Sequence, residues 1–154
     1  PLHEIHIDIV EREPAVVVRT LAENLLADSD GFLLAHLGSA DDPTLPMLSG
    51  VDGKRLVQGK PDDRRPVQVG AALARMVGQT TGRQPDINVG NLNNLVVEVQ
   101  GVTFQFSESS MNQQWYRFLK MRPALRDVAF GGEGARANEI DLRFADRVIV
   151  RGRG

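Results

Sequence analysis

The clearest pattern of apolar and polar positions lies at the end of the chain. Residues 140–144 alternate, with Ile140, Leu142 and Phe144 on one side and Asp141 and Arg143 on the other. This period of two is typical of a half-buried strand. Three apolar residues follow at 148–150, so the sequence predicts a terminal hairpin. Unless an earlier strand pairs with it, a last strand leaves its outer N–H and C=O groups available to a partner.

The first third of the chain is also strand-like. In residues 3–11 the apolar Ile5, Ile7 and Ile9 alternate with His6 and Asp8, which predicts a strand. Further strands are predicted at 15–19, 24–27 and 32–37, with a turn at 28–31. The apolar residues at 45–50 lie between proline and glycine and predict a compact connector.

Two segments have helical spacing. The first begins with PDDRR at 61–65 followed by Pro66, which we interpret as a helix start, because Asp can cap free N–H groups and Pro tolerates the first helical position. Its apolar stripe ends near Gly82 and comprises Val69, Leu73, Met76 and Val77.

The second helical segment has Ser109 and Ser110 as candidate caps and Pro123 as its end. Its apolar stripe comprises Met111, Trp115, Phe118 and Leu119. Between the two helices, residues 95–99 and 102–106 predict a hairpin around Gln100 and Gly101. The order of elements predicts an α+β fold, an antiparallel β-sheet with helices packed on one face.

Composition limits the classes of function. The chain has 154 residues, 18 Lys plus Arg against 20 Asp plus Glu, and no cysteine. A balanced charge favours neither nucleic acid nor an anionic membrane, and the lack of cysteine excludes disulfides and thiolate chemistry. No apolar run reaches the roughly 20 residues that a bilayer span needs. Because the chain starts at Pro1 without a signal peptide, we expect it to be a piece of a longer protein.

No catalytic or metal-binding motif is complete. Asp28–Gly31 resembles the start of a calcium loop, but Ser39 stands where the twelfth-position glutamate should be. His3, His6 and His36 lack ligand spacing, and the serines at 107–110 lack a nucleophile elbow. The glycines at 131–134 follow no phosphate-binding pattern. We therefore expect no enzyme activity, no cofactor, no metal and no small-molecule substrate.

Three larger side chains deserve separate interpretation. Trp115 lies on an apolar stripe, so we expect it in the core. Arg143 and Phe144 have two open interpretations: ordinary sheet residues, or the arginine and aromatic anchors that protein interfaces favour.

Five segments in order resemble the extracytoplasmic part of the bacterial cell-division family FtsQ, also called DivIB. They are 10–15 (VEREPA), 26–31 (LADSDG), 45–50 (LPMLSG), 115–123 (WYRFLKMRP) and 140–144 (IDLRF). The resemblance covers nearly the whole chain and is weakest between residues 53 and 94. It implies that residues 1–36 are the C-terminal part of a POTRA domain and that 37–154 are the FtsQ-type β domain.

The resemblance also implies a function. The family is a non-enzymatic scaffold on the periplasmic side of the bacterial inner membrane, anchored by a span that this chain does not contain. It binds FtsB and FtsL and helps to bring other divisome proteins to the septum. In the family, an FtsB strand adds along the last β strand, a mode known as β-augmentation.

Carried onto this sequence, the resemblance gives a partner-binding set. Arg143 matches an arginine that meets an acidic partner residue, and Phe144 an aromatic that is often tyrosine in the family. Asp146 and Arg147 stand where the family favours small turn residues. The full set is Arg143, Phe144, Asp146, Arg147, Val148, Ile149 and Val150.

Two other functions remain open. An enzyme hidden in residues 53–94 would need convergent acids, bases and a pocket. A POTRA-containing envelope assembly or secretion protein would dock its clients on the early strands.

Overall fold

The structure is a computed structural model that describes residues 3–125 and 138–152. The strands are β1 (Val16–Arg19), β2 (Asn24–Ala27), β3 (Leu33–Gly38), β4 (Met47–Ser49), β5 (Asp86–Asn88), β6 (Leu95–Val99), β7 (Val102–Phe106), β8 (Glu139–Asp141) and β9 (Ile149–Arg151). The helices are α1 (Gly53–Gln58), α2 (Pro61–Thr81) and α3 (Met111–Met121), with short 3-10 turns at Glu108–Ser110 and Arg122–Leu125.

All nine described strands form one sheet in the order β3-β2-β1-β4-β5-β6-β7-β8-β9. The predicted α+β class is confirmed. The sheet is mixed and not purely antiparallel as expected, because β1–β4, β4–β5 and β7–β8 pair in parallel. The reason is connectivity, because other elements separate the paired strands: the β2–β3 hairpin lies between β1 and β4, α1 and α2 lie between β4 and β5, and α3 lies between β7 and β8. Such crossovers return the chain in the same direction.

Helix α1 was not predicted from the sequence, and local residues at its two ends set its bounds. The Asp52 carboxylate caps it by accepting from the N–H groups of Lys54 (3.1 Å) and Arg55 (3.3 Å). Gly59 ends it with a left-handed φ of 72°, a conformation that glycine adopts without a Cβ clash. Six residues are too few for a periodic apolar stripe to stand out.

Helix α2 begins at Pro61, within the helix start that the sequence predicts. Pro61 lies in the first turn, where a missing N–H costs nothing, and Pro66 lies inside the helix. Helix α2 also approaches the sheet closely at Gly70, where a Cβ would come within 2.7 Å of Leu48 Cδ1.

The core lies between the sheet and the two longer helices. Its aromatic part joins β7 to α3: Phe104 meets Trp115 and Phe118 edge to face, with ring centroids 5.4 and 5.2 Å apart. Trp115 is 4% exposed, which confirms its expected core position. The predicted hairpin of β6 and β7 also forms, and Gln100 and Gly101 both have positive φ (53° and 78°), as a type I′ turn requires.

Two early segments differ from expectation. Residues 3–11 form no strand, since within the described chain no other strand pairs with them. The segment 45–50 is more than a connector: Met47–Ser49 is β4, and its Leu48 is fully buried. An alternating pattern records which side chains are apolar, whereas strand formation also needs a neighbouring strand.

The expected domain boundary stays a prediction. Residue 36 lies inside β3, and the strands on both sides of it belong to one sheet. The glycine-rich segment 131–134 lies outside the described residues. Among those that are described, no helix has the length and hydropathy to cross a membrane.

Candidate functional site

Strand β9 lies at one edge of the sheet, as the terminal position predicted. It pairs antiparallel with β8, in the register Glu139↔Arg151, Ile140↔Val150 and Asp141↔Ile149. On its other side no strand of residues 3–125 or 138–152 pairs with it. The structure therefore has an open edge at β9 within its described part.

The backbone bonds of β8 show which groups of β9 point inward. The N–H of Thr103 donates to Asn138 O (2.8 Å), and the N–H of Leu142 donates to Gln105 O (2.9 Å). The C=O of Asn138 and the N–H of Leu142 thus face β7, and the parallel register places both backbone polar groups of Ile140 on the same side. Since successive residues of a strand direct these groups to opposite sides, Glu139 and Asp141 direct theirs toward β9.

The partners of those two residues on β9 are Arg151 and Ile149. The Arg151 carbonyl indeed faces β8, because it accepts from the N–H of Asn138 at 3.1 Å. By the same alternation, the N–H and C=O of Val150 point away from β8. Val150 therefore carries one donor and one acceptor at the open edge.

The side chains of β9 are divided between the two faces of the sheet. Val150 pairs with the core residue Ile140, so it lies on the helix-bearing face. Ile149 and Arg151 lie on the opposite face, where the Arg151 guanidinium is 3.9 Å from the Glu139 carboxylate. All three β9 side chains are at least partly exposed.

The connection between β8 and β9 is a seven-residue loop, with a bend at 145 and 146. Leu142 is fully buried, but regular pairing ends at Asp141, so the predicted strand through Phe144 is too long. The carbonyl of Phe144 accepts a hydrogen bond from the Arg117 guanidinium of α3. Arg117 was not predicted as part of this region, since it lies 27 residues away in sequence.

Asp141 and Arg143 form a tight pair beside the edge. The Asp141 side chain is fully buried and accepts from the backbone N–H (3.1 Å), Nε (3.0 Å) and Nη2 (2.8 Å) of Arg143. The hydrogen bonds from Arg143 lower the pKa of Asp141, and the same contact raises the pKa of Arg143. Arg143 is therefore already neutralised locally, which leaves it less available to an acidic partner.

The remaining predicted residues surround the loop. Arg147 lies with its Cζ 5.0 Å from the centre of the Phe144 ring and its Nε 3.7 Å from Asp146 Oδ1. The side chains of Arg147 and Asp146 are 63% and 81% exposed, so this pair is weak. Val148 packs against the core. The structure thus brings all seven predicted residues together at one edge, with Arg147 and Arg151 as its exposed cations.

The other candidate functional residues make structural contacts. The carboxylate of Asp28 accepts from the N–H groups of Asp30 (3.0 Å) and Phe32 (2.8 Å), which makes 28–31 a turn. The side chain of Gln114 bonds to Ser107 and Ser110. In the described ranges, no group of three or more histidine, cysteine or acidic side chains is arranged to hold a metal ion.

No known protein-family profile and no curated protein matches this chain. The resemblance to the FtsQ family therefore rests on the five sequence segments alone.

Proposed function

We propose that this chain is a non-enzymatic scaffold of the bacterial divisome that binds FtsB and FtsL through strand addition to β9. In this role it helps to assemble septal cell-wall synthesis together with other divisome proteins. The observation that carries the proposal is the open edge at Val150, whose N–H and C=O point away from β8.

Main-chain hydrogen bonding supports binding by a strand. An incoming strand would bond to the N–H and C=O of Val150, and such bonds give affinity largely independent of side chains. Residues flanking β9 are held firmly, because the buried Asp141 and the Arg117–Phe144 bond fix the loop that precedes it. A rigid edge loses little conformational freedom on binding.

Side chains around the edge support a choice of partner. Val150 and Ile149 present apolar surface on opposite faces, and the exposed Arg147 and Arg151 add positive charge. These features suit a strand with apolar residues and at least one carboxylate. Phe144 lies under Arg147 and provides the aromatic anchor of the proposed interface.

The proposed cellular location rests on the resemblance to the FtsQ family. We propose that the chain works on the periplasmic side of the inner membrane at the division septum, as part of a protein anchored by a span outside these 154 residues.

The sharpest test removes one backbone donor. Val150→Pro deletes the outward N–H and leaves the bonds between β8 and β9 intact, since proline is tolerated on the open side of an edge strand. We expect binding to an FtsB–FtsL complex, measured by calorimetry, to weaken at least about tenfold, with little change in the unfolding midpoint.

Two control variants define the result. Val150→Ala shortens the side chain but keeps the N–H, so it should bind better than Val150→Pro. Ile149→Pro removes an inward N–H and should lower stability as well. Unchanged binding by Val150→Pro would refute the β9 site, and failure of the unmodified chain to bind FtsB–FtsL would refute the proposed function.

Side-chain variants test the anchors. Phe144→Ala should weaken binding by about 2 kcal/mol if this aromatic is a hot spot. Arg147→Glu is a cleaner charge reversal than Arg143→Glu, because Arg143 is bound to the buried Asp141 and its replacement would disturb the fold.

A further inference from the structure

A groove of about 1080 Å³ lies beyond the ends of β1 and β4, between the β1–β2 turn and helix α1. Its lining comes from residues 19–23 of the turn and from the segment 49–58, together with the buried Leu25. The volume slightly exceeds the roughly 300–1,000 Å³ that is typical of pockets for small ligands. The groove therefore has room for several side chains of a bound peptide.

Short-range contacts hold the two walls of the groove in place. The Thr20 hydroxyl donates to Glu23 O (2.7 Å) and accepts from the N–H of Glu23 (3.1 Å), which fixes the turn. Gly53, the first residue of α1, lies so close to this turn that a Cβ would come within 2.7 Å of Thr20 Cγ2. A pre-formed groove loses little conformational freedom when it is occupied.

Two exposed aliphatic side chains line this groove. Leu21 is fully exposed and Val57 is 51% exposed. Among the described residues after Arg12, no other leucine, isoleucine or valine is as exposed. A small ligand inside the groove would leave the outer side of Leu21 in water, whereas a chain lying across the groove would cover both side chains.

The charged residues along the groove favour an acidic occupant. Its two acids have partners within the chain: the Glu23 carboxylate contacts His36 Nδ1 at 2.5 Å, and the Asp52 carboxylate caps α1. Its two cations, Arg19 and Lys54, form no ion pair with any described residue. Carboxylates of a bound chain would therefore meet unpaired positive charge.

The other segments of this protein join the sheet at the end of the strands away from the groove. Arg12 precedes β1 and bonds to Asp28, just past the end of the antiparallel β2. Asn138, where the described chain resumes, bonds to the N–H of Thr103 near the start of β7, which runs in the same direction as β1. Strand β9 runs back to that same end. The occupant is therefore best sought in a separate molecule.

We infer that this groove binds a short amphipathic segment of a second partner protein. Apolar side chains of that segment contact Leu21 and Val57, and its acidic side chains meet Arg19 and Lys54. Of the strands that border the groove, β4 is nearest to β9, and five spacings of about 4.8 Å separate the two by roughly 24 Å. The inference therefore does not rest on the binding of FtsB and FtsL at β9.

Selection from a phage-displayed library of random peptides tests the inference, with the unmodified chain as the target. Each enriched peptide is synthesised with a fluorescent label, and its binding is measured by anisotropy. We expect the enriched peptides to combine apolar residues with aspartate or glutamate, and to bind more weakly as salt is raised. Absence of enrichment, or enrichment of peptides without an acidic residue, would overturn the inference.

Variants of the groove locate the binding. Leu21→Ser should weaken binding of the selected peptides at least about tenfold, and Lys54→Glu should weaken it and reduce its dependence on salt. Both side chains are exposed, so the unfolding midpoint should stay unchanged. The matched controls are Tyr116→Ser and Lys120→Glu, at exposed positions of α3, and both should bind as the unmodified chain does.

Two further results would contradict the inference. Selected peptides that bind Leu21→Ser and Lys54→Glu as tightly as the unmodified chain would lie elsewhere on the surface. A dimer of the unmodified chain in sedimentation that is lost in Leu21→Ser would show that a second copy, and not a different protein, occupies the groove.

Discussion

The two edges of the sheet differ in length, charge and attachment. Strand β3 has six residues and no lysine, arginine, aspartate or glutamate, although its His36 contacts the Glu23 carboxylate, whereas β9 has three residues and ends in Arg151, close to Glu139. One sheet thus ends in a mostly apolar border on one side and a charged border on the other. Edge chemistry can therefore select different partners at the two ends of a single fold.

Each edge also has an aspartate–arginine pair, and the two pairs connect different parts of the chain. Arg143 and Asp141 are two residues apart, so their bond shapes a local turn. Arg12 and Asp28 are 16 residues apart, so their bond ties the segment before β1 to the turn before β3. Loss of the first pair should loosen one loop, whereas loss of the second should change how two segments are connected.

The largest expected effect is a loss of stability in the part of the sheet next to β9. Phe104→Ala removes a fully buried ring that meets Trp115 and Phe118, and should lower the free energy of unfolding by about 3–5 kcal/mol. Urea denaturation measures the loss. Hydrogen exchange should show faster exchange in β8 and β9 than in β2 and β3, and equal acceleration at both edges would contradict the distinction.

A smaller effect is expected from Asp141→Asn. The change keeps the shape of a buried side chain but leaves Arg143 without its counter-ion, which should cost about 2 kcal/mol because Arg143 is partly exposed. Asp28→Asn is the matched variant at the other edge, where Arg12 is also partly exposed. We expect only Asp28→Asn to speed hydrogen exchange around residue 32, which chemical denaturation alone would not reveal.

Acidification should weaken both edges. Burial alone would raise the pKa of Asp28, but hydrogen bonds from Arg12 and the N–H groups of Phe32 and Asp30 lower it; the pKa of Asp141 is lowered mainly by Arg143. Carboxyls with a depressed folded pKa stabilise the fold above their unfolded value of about 3.9. This stability is lost as the pH falls through the folded values.

Urea denaturation between pH 6 and pH 2 checks that direction. The unmodified chain should lose more stability than Asp28→Asn or Asp141→Asn over this range, because each variant lacks one of the titrating groups. A variant that loses as much as the unmodified chain would show that its aspartate does not contribute.

The smallest effect lies between the two edges, in the β6–β7 turn. Gln100 has a φ of 53°, which is unfavourable for a side chain of this type, so Gln100→Asn should stabilise the chain by about 0.5–1 kcal/mol. Thermal unfolding measures the gain. Partner binding at β9 should stay unchanged, which makes this variant a control for general stability.

Patterns within a segment predicted much of this fold. Strands β1, β2, β3, β6 and β7 and helices α2 and α3 follow from the spacing of apolar residues. Strands β4 and β5, of three residues each, are too short for a period to be recognised.

Contacts between distant segments could not be predicted from the sequence. The bond from Arg117 to the Phe144 carbonyl joins α3 to the β8–β9 loop, and no local signal marks it. The burial of Asp141 depends on the strands around it, so its alternation with Ile140 and Leu142 suggested exposure instead. Tertiary packing decides such features, and a period of two records only the local direction of side chains.

The position of β3 and β9 at opposite ends of nine strands sets a geometric span. Eight spacings of about 4.8 Å separate them by roughly 40 Å, so a strand bound at β9 lies too far from β3 to contact it. The two borders can therefore be occupied or altered independently of each other.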